Sequence, residues 1–365
     1  MNFRIFSHKI LFIGFLILCF SLTLGTFKPM NTEAINIGNI IGAAAYQKQI
    51  SKSLDYYEND GRGELFEELK KNDGVNNDPH LNAILDNIMS KLSATIAKTD
   101  SSITERPYNY FINPETNFNA YCSLGHNVSV NTGVFNFFNN DEERIAVVVA
   151  HELVHGQKQH PLKGAKKKLT VDLVSSVVGA ELGTGQRLAV DIVAVNAKNT
   201  GITKPNEWEA DNIAFSYIID SGYNPGAPAA VWQRVMDNSS GSSSSNIFTD
   251  ILNPSTHPDQ EDRRDNYSKK LTEYSNNKVS VDGSTGEIKI NGKVFMKPVA
   301  AANMSGMERS YLIAGNLASI YHNNKSTDKA AASNGSIYIG NNYVVQPTGE
   351  DGNINDLVNI LNEIK

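Results

Sequence analysis

The stretch AVVVAHELVH, residues 146–155, puts two imidazoles and one carboxylate within about one turn of a helix. His151 and His155 are four residues apart, so on an α-helix both project from one face. Two neutral imidazoles on one face can hold a Zn²⁺ at about 2.0–2.1 Å each. Glu152 lies beside them and is placed to take a proton from water at such a metal. The lead-in AVVVA is small and apolar, as a buried active-site helix requires. HExxH is nevertheless a short pattern that also arises by chance, so a third ligand has to be found.

Three protein ligands leave a fourth position open for water, the arrangement of a catalytic zinc. The run NEWEADNIAFSYIIDSGYNP starts at Asn206 and reads as a helix. Ala210, Ile213, Ala214, Tyr217 and Ile218 recur at helical spacing, and Gly222 and Pro225 end it. Glu207 and Asp211 share a face of this helix. Glu207 is a candidate carboxylate ligand, and Asp211 a candidate hydrogen-bond partner for a ligating histidine. On these residues alone, an acidic first turn serving only the helix dipole explains them as well.

The order of motifs narrows this. GHNVSVNTGV from Gly125 to Val134, then HELVH, then EWEAD, then Thr256-His257-Pro258 with Arg263, resembles the HtpX-like metallopeptidases. This group is metallopeptidase family forty-eight, with the CAAX prenyl endopeptidases, the Oma-type peptidases and the BepA-type chaperone-proteases. The resemblance covers roughly residues 45–270. It implies that His151, His155 and Glu207 hold one Zn²⁺ per chain. It also implies that Glu152 is the general base and that Asp211 closes the ExxAD helix. Asn119-Ala120 resembles the family's pair before its edge strand, Val128-Ser129-Val130 that strand, and Gly133 the glycine after it. His257 matches a histidine that lies near the metal in some members, and Arg263 matches the arginine after it. Either is a candidate to stabilise an oxyanion, and His257 is equally a candidate to gate the open zinc position. Many members are acidic where this chain has Arg144, and several cross the membrane repeatedly.

The other histidines carry less. His160 completes a wider HExxHxxxxH pattern, but nine residues at about 100° each place it across the helix from His151. A regular helix therefore keeps it away from that metal. His126 sits in a turn, and His80 and His322 have no partner in the sequence.

The chain has 365 residues and a formal net charge of −6, with no basic stripe of the kind nucleic-acid binding requires. Arg4 and Lys9 precede the apolar run ILFIGFLILCFSLTLGTF, residues 10–27, which has the layout of a secretory signal. Thr32-Glu33-Ala34 suits a signal peptidase. The run is also close to the ~20 residues that span a bilayer, so an uncleaved anchor is the rival. Cys19 invites lipidation, but Leu18 stands where a small residue is expected. After cleavage Cys122 is the only thiol, so the mature chain holds no internal disulfide. A small buried residue is its simplest reading.

Residues 37–99 read as helices: one over 50–69 with Tyr56 and Tyr57 on its packing face, and a clear amphipathic one through Leu81, Leu85, Met89 and Leu92. Tyr108, Tyr110 and Ile112 alternate as a strand. Residues 121–134 read as a hairpin turning at Gly125-His126-Asn127. The basic run 163–168 reads as a solvated helix start or a loop. The apolar segment 171–195, interrupted by Asp172, Glu181, Arg187 and Asp191, is no membrane span; it reads as a helical pair turning near Gly183. NSSGSSSSN, residues 238–246, is a low-complexity loop. After about residue 276 short strands flank Asn291-Gly292 and Asn341-Asn342, with helices over 307–322 and 356–364. No tetratricopeptide-like repeat is present, a departure from BepA-type members.

The expected fold is therefore α+β. It has a mainly helical zincin-type (gluzincin) domain with a small edge sheet over 35–272, a signal or anchor over 1–34, and a small α+β domain over 273–365. The expected function is an exported zinc endopeptidase of the periplasm or cell envelope, acting on polypeptides such as misfolded envelope proteins. Membrane association would come through the N-terminal run. The alternative is a chaperone or assembly factor with a silenced protease site, and a structural envelope protein with no metal is the third reading.

Overall fold

Apolar stripes at helical spacing build the first three helices: α1 (Ile37–Glu58), α2 (Arg62–Asp73) and α3 (Pro79–Thr99). The computed structural model describes residues 37–168, 202–239 and 258–365. The apolar run 10–27, the insert 171–195, most of the Ser-rich loop 238–246 and His257 lie outside the described residues. Asp78 caps α3 by accepting from the His80 and Leu81 amides, and Pro79 opens its first turn. The single helix expected over 50–69 is two. The Asn59-Asp60-Gly61 turn ends α1, with the Gly61 amide bonded to the Tyr56 carbonyl. Tyr57 is buried as expected, whereas Tyr56 is only half-buried and bonds Glu64.

A short helix, α4 (Ser102–Glu105), leads into β1 (Asn109–Asn113), β2 (Ala120–Ser123) and β3 (Asn127–Asn131). The hairpin expected from Gly125-His126 forms between β2 and β3, with Ala120 opposite Val130 and Cys122 opposite Val128. The expected edge strand is corrected. Val128-Ser129-Val130 lies in the middle of the sheet, because β1 pairs with β3 in parallel on its other side. The strand facing the site is β2. After β3 the chain turns into α5 (Thr132–Phe137). A side chain at Gly133 would strike the Asn117 carbonyl at 2.2 Å, so the close approach of the preceding loop requires glycine there.

Next come α6 (Glu142–Gln157), α7 (His160–Lys168), α8 (Lys204–Asp220), α9 (Ala227–Ser239) and α10 (Gln260–Tyr274). Asp141 caps α6 by accepting from the Arg144 amide, and Glu142 and Glu143 suit its positive end. Most of α6 is buried, including four of the five residues of its AVVVA run. It packs against α8 on one side and β2 on another. The basic run 163–168 is the body of α7, and Lys166 pairs with Asp55 at 2.5 Å.

The C-terminal elements are β4 (Val279–Val281), β5 (Ile288–Ile290), β6 (Lys293–Met296), α11 (Gly306–His322), β7 (Ala330–Ser333), β8 (Ser336–Ile339), β9 (Asn342–Val345) and α12 (Ile354–Ile364). They form two three-stranded antiparallel sheets beside two helices. The strand β7 is missing from the sequence reading, since Ala330-Ala331-Ala332 has little strand preference and is held by its partner β8. Helix α11 packs on α9 and α10, and one hydrophobic core runs from Leu81 on α3 through Val149, Ala214 and Leu271 to Leu361 on α12. The described chain is thus mixed α+β and mostly helical. No helix among the described residues is long and apolar enough to cross a membrane.

Candidate metal centre

Helix α6 presents His151 and His155 on the face toward α8, and α8 presents Glu207 back to them. Asn206 braces the start of α8 by accepting from the Thr203 amide, with Pro205 in the first turn. That start sets Glu207 opposite the histidines. The two Nε2 atoms lie 3.0 Å apart, and a Glu207 carboxylate oxygen lies 3.5 Å from each. The three candidate donor groups lie within 4.8 Å of one another. His155 and Glu207 are buried, while His151 and Glu152 keep partial exposure, so the mouth is on their side.

Asp211, one turn beyond Glu207, lies 2.9 Å from Nδ1 of His151. A carboxylate there accepts the Nδ1 proton and turns the Nε2 lone pair inward. Burial works to raise the Asp211 carboxyl, but Arg263 and the His151 hydrogen bond outweigh it and hold it at about 2. Arg263 reaches Asp211 with two donors, one of them at 2.7 Å. Its guanidinium stacks on Trp232 at 3.7 Å and passes 3.7 Å from Glu207. Arg263 therefore braces the cluster, with two donors on Asp211 and its remaining amino group toward Glu207.

Three electron-rich groups converge here on one point. Burial disfavours a charged His151, yet its hydrogen bonds to Asp211 and Glu207 win and hold its pKa up to about 10. The acids thus favour one positive charge at this spot, carried by a proton on His151 or by a metal ion that takes the proton's place. Two imidazoles and a carboxylate, with His151 held from behind by Asp211, fit a zinc ion by donor type and number.

Glu152 faces β2 as well as the cluster. Its Oε2 accepts from the Cys122 amide at 3.1 Å. Desolvation in the cleft lifts its carboxyl to about 7, with His151 opposing and Glu207 adding to the rise. Cys122 is a buried free thiol beside Glu152, and burial pushes its pKa well up.

Two contacts escape the sequence reading. Tyr267, four residues after Arg263 on α10, donates to Asp211 at 2.9 Å; its i+4 spacing from Arg263 is the signal that could have found it. The second is a correction. His160 does not point away from the cluster, because α6 stops at Gln157 and Gln159 takes a left-handed conformation (φ 53°). The reversal brings His160 Nδ1 to 3.0 Å from His155 Nδ1. Pro161 was the available signal, since a proline cannot continue the preceding helix.

An HExxH helix facing a second helix with a buried glutamate is the build of a two-helix metallopeptidase site. The sequence pattern of Peptidase family M48 matches residues 79–270, more than half of the chain, and the chain belongs to that family. Among its relatives is the beta-barrel assembly-enhancing protease of Escherichia coli, 24% identical over 235 residues, which cover 60% of this chain and 44% of that protein. Metalloprotease YcaL of Escherichia coli is 27% identical over 136 residues, 36% of this chain and 53% of that one. Mitochondrial metalloendopeptidase OMA1 of Arabidopsis thaliana is 27% identical over 143 residues, 38% of this chain and 27% of that one. The chain spans less than half the length of the beta-barrel assembly-enhancing protease it matches.

Proposed function

We propose that this protein is an exported zinc endopeptidase that cleaves polypeptides in the cell envelope. The observation that carries this is the convergence of His151, His155 and Glu207 with Glu152 alongside. His151 and His155 through Nε2, and Glu207 through its carboxylate, would hold the ion. A bound zinc supplies Lewis acidity, lowering the pKa of water toward about 7 and polarising a peptide carbonyl. Glu152 takes the proton from the attacking water and hands it to the leaving amine. A carboxyl lifted to about 7 is matched to both tasks near neutral pH. Asp211, Arg263 and Tyr267 keep His151 in the tautomer that leaves Nε2 free.

A polypeptide substrate suits the setting of β2. This edge strand lies against α6, and its Cys122 amide reaches Glu152, so an extended peptide pairing along the same edge would pass the reacting groups. The cell-envelope role rests on the names of the beta-barrel assembly-enhancing relatives and on the signal-like run 10–27.

Metal analysis of the purified chain, with hydrolysis of casein before and after chelation, tests the proposal. About one zinc per chain and activity lost on chelation and restored by zinc are expected. A folded chain without stoichiometric transition metal would sink it.

A further inference from the structure

Both candidate histidine ligands have a second ring nitrogen to satisfy, and they do it differently. His151 has Asp211 directly behind it at 2.9 Å. Among the described residues His155 has no carboxylate at Nδ1. Its Nδ1 lies 3.0 Å from Nδ1 of His160, whose Nε2 lies 3.2 Å from the Glu209 carboxylate. His155 and His160 are both buried, whereas the Glu209 side chain is about half exposed (47%).

The proton positions follow from the end of this chain of contacts. A carboxylate only accepts, so His160 donates from Nε2 to Glu209. A neutral imidazole with its proton on Nε2 has a lone pair on Nδ1. That lone pair accepts from His155, which must therefore carry its proton on Nδ1. The Nε2 of His155 is then left as a lone pair, aimed at His151 Nε2 and Glu207.

We propose that His160 and Glu209 are positioning residues that fix the orientation and tautomer of His155 for metal binding. The inference rests on the reading of His155 as a zinc ligand. The stretch EWEAD thereby divides its acids by address: Glu207 faces the cluster directly, Asp211 backs His151, and Glu209 backs His155 through His160. The left-handed turn at Gln159 is what makes the third connection possible. It starts α7 with His160 folded back onto His155 instead of one further turn along α6.

Zinc affinity of the full chain, measured by competition with a chromophoric chelator, tests this without reference to turnover. His160→Ala should weaken zinc binding by about 10–100-fold, the usual loss when a ligand's outer partner goes. His160→Asn should recover much of the loss, because its amide oxygen can accept from His155 near the old Nδ1 position. Glu209→Ala, at a half-exposed position where truncation opens no cavity, should weaken binding by about 10-fold. The cobalt(II) absorption bands of the Ala variants should shift from those of the wild type. Zinc affinity equal to wild type in both His160→Ala and Glu209→Ala would overturn the proposal and leave the zinc reading standing. A wild-type chain that binds no zinc would instead remove the reading underneath it. If His160→Ala does not fold, His160→Asn and Glu209→Ala decide between these outcomes.

Discussion

Arg144 and Glu308 form a buried ion pair, with Nη1 2.5 Å from the carboxylate, joining the helix of HELVH to α11 in the C-terminal region. Arg234 on α9 adds a second contact to Glu308 at 3.2 Å. Arg144 also lies 3.2 Å from Asp141 at the start of its own helix, but its buried counter-charge, Glu308, is 164 residues away in the same core. Removing one partner of a buried pair strands the other. Glu308→Gln should therefore lower stability by about 3–5 kcal/mol in chemical denaturation. Replacing Arg144, Arg234 and Glu308 together by apolar residues should recover most of that loss. A single Glu308→Gln change with unaltered stability would show that the pair contributes nothing.

Glu152→Gln and Glu207→Gln should separate chemistry from binding. The amide at 152 cannot accept the proton of water, so turnover should fall by about 10²–10⁴-fold with zinc content unchanged. The amide at 207 removes a charged donor, so zinc should be lost. Near wild-type cleavage by the first variant, or full zinc occupancy in the second, would reassign those roles.

Gly156 follows the second histidine, and a methyl group there would stand 2.8 Å from Cys122 Sγ and 3.1 Å from Tyr108. Alanine would gain about 1 kcal/mol of helix preference but lose about 1–3 kcal/mol to overpacking. Overpacking should win, leaving Gly156→Ala less stable. In a Cys122→Ala background the clashing sulfur is gone, so the same change should be neutral or stabilising. Additive effects in this double-mutant cycle would show that helix and strand are not in contact at this point.

The Asp351 side chain is shielded from solvent and accepts from Arg309 at 2.6 and 2.9 Å and from the Thr348 and Val299 amides. Burial would raise its carboxyl, but these donors bring it down to about 2. A depressed folded pKa stabilises the fold above the unfolded value of about 3.9, and that contribution is lost as pH falls from about 4 toward 2. Asp351→Asn should thus be less stable by about 1–3 kcal/mol at pH 7. The gap to wild type should narrow below about pH 4. Urea titrations at neutral and acid pH measure it, and a gap that widened on acidification would contradict the assignment.

His151 and His155 were legible because a helix repeats every 3.6 residues, so spacing alone puts them on one face, with Glu152 next to them in sequence. The same logic reached Glu207 and Asp211, the stripe of α3 and the hairpin at Gly125. These are local facts, written in neighbouring residues. Strand order was not local: β2 is the edge because β1 comes in beside β3, which no pattern within 127–131 reports. The α6–α7 break did carry a local signal, Pro161, which helical periodicity overrode. Helical periodicity sent His160 away from His151, and the left-handed Gln159 with Pro161 behind it returned it to His155. The partners of the site, Trp232 and Tyr267, and the buried partner of Arg144, Glu308, come from distant segments. Their positions are set by side-chain packing and by the need to pair buried charges. Spacing along the chain picks out the groups able to hold a metal, while their supports are chosen in three dimensions, because spacing sets the face of a helix and packing sets what meets it.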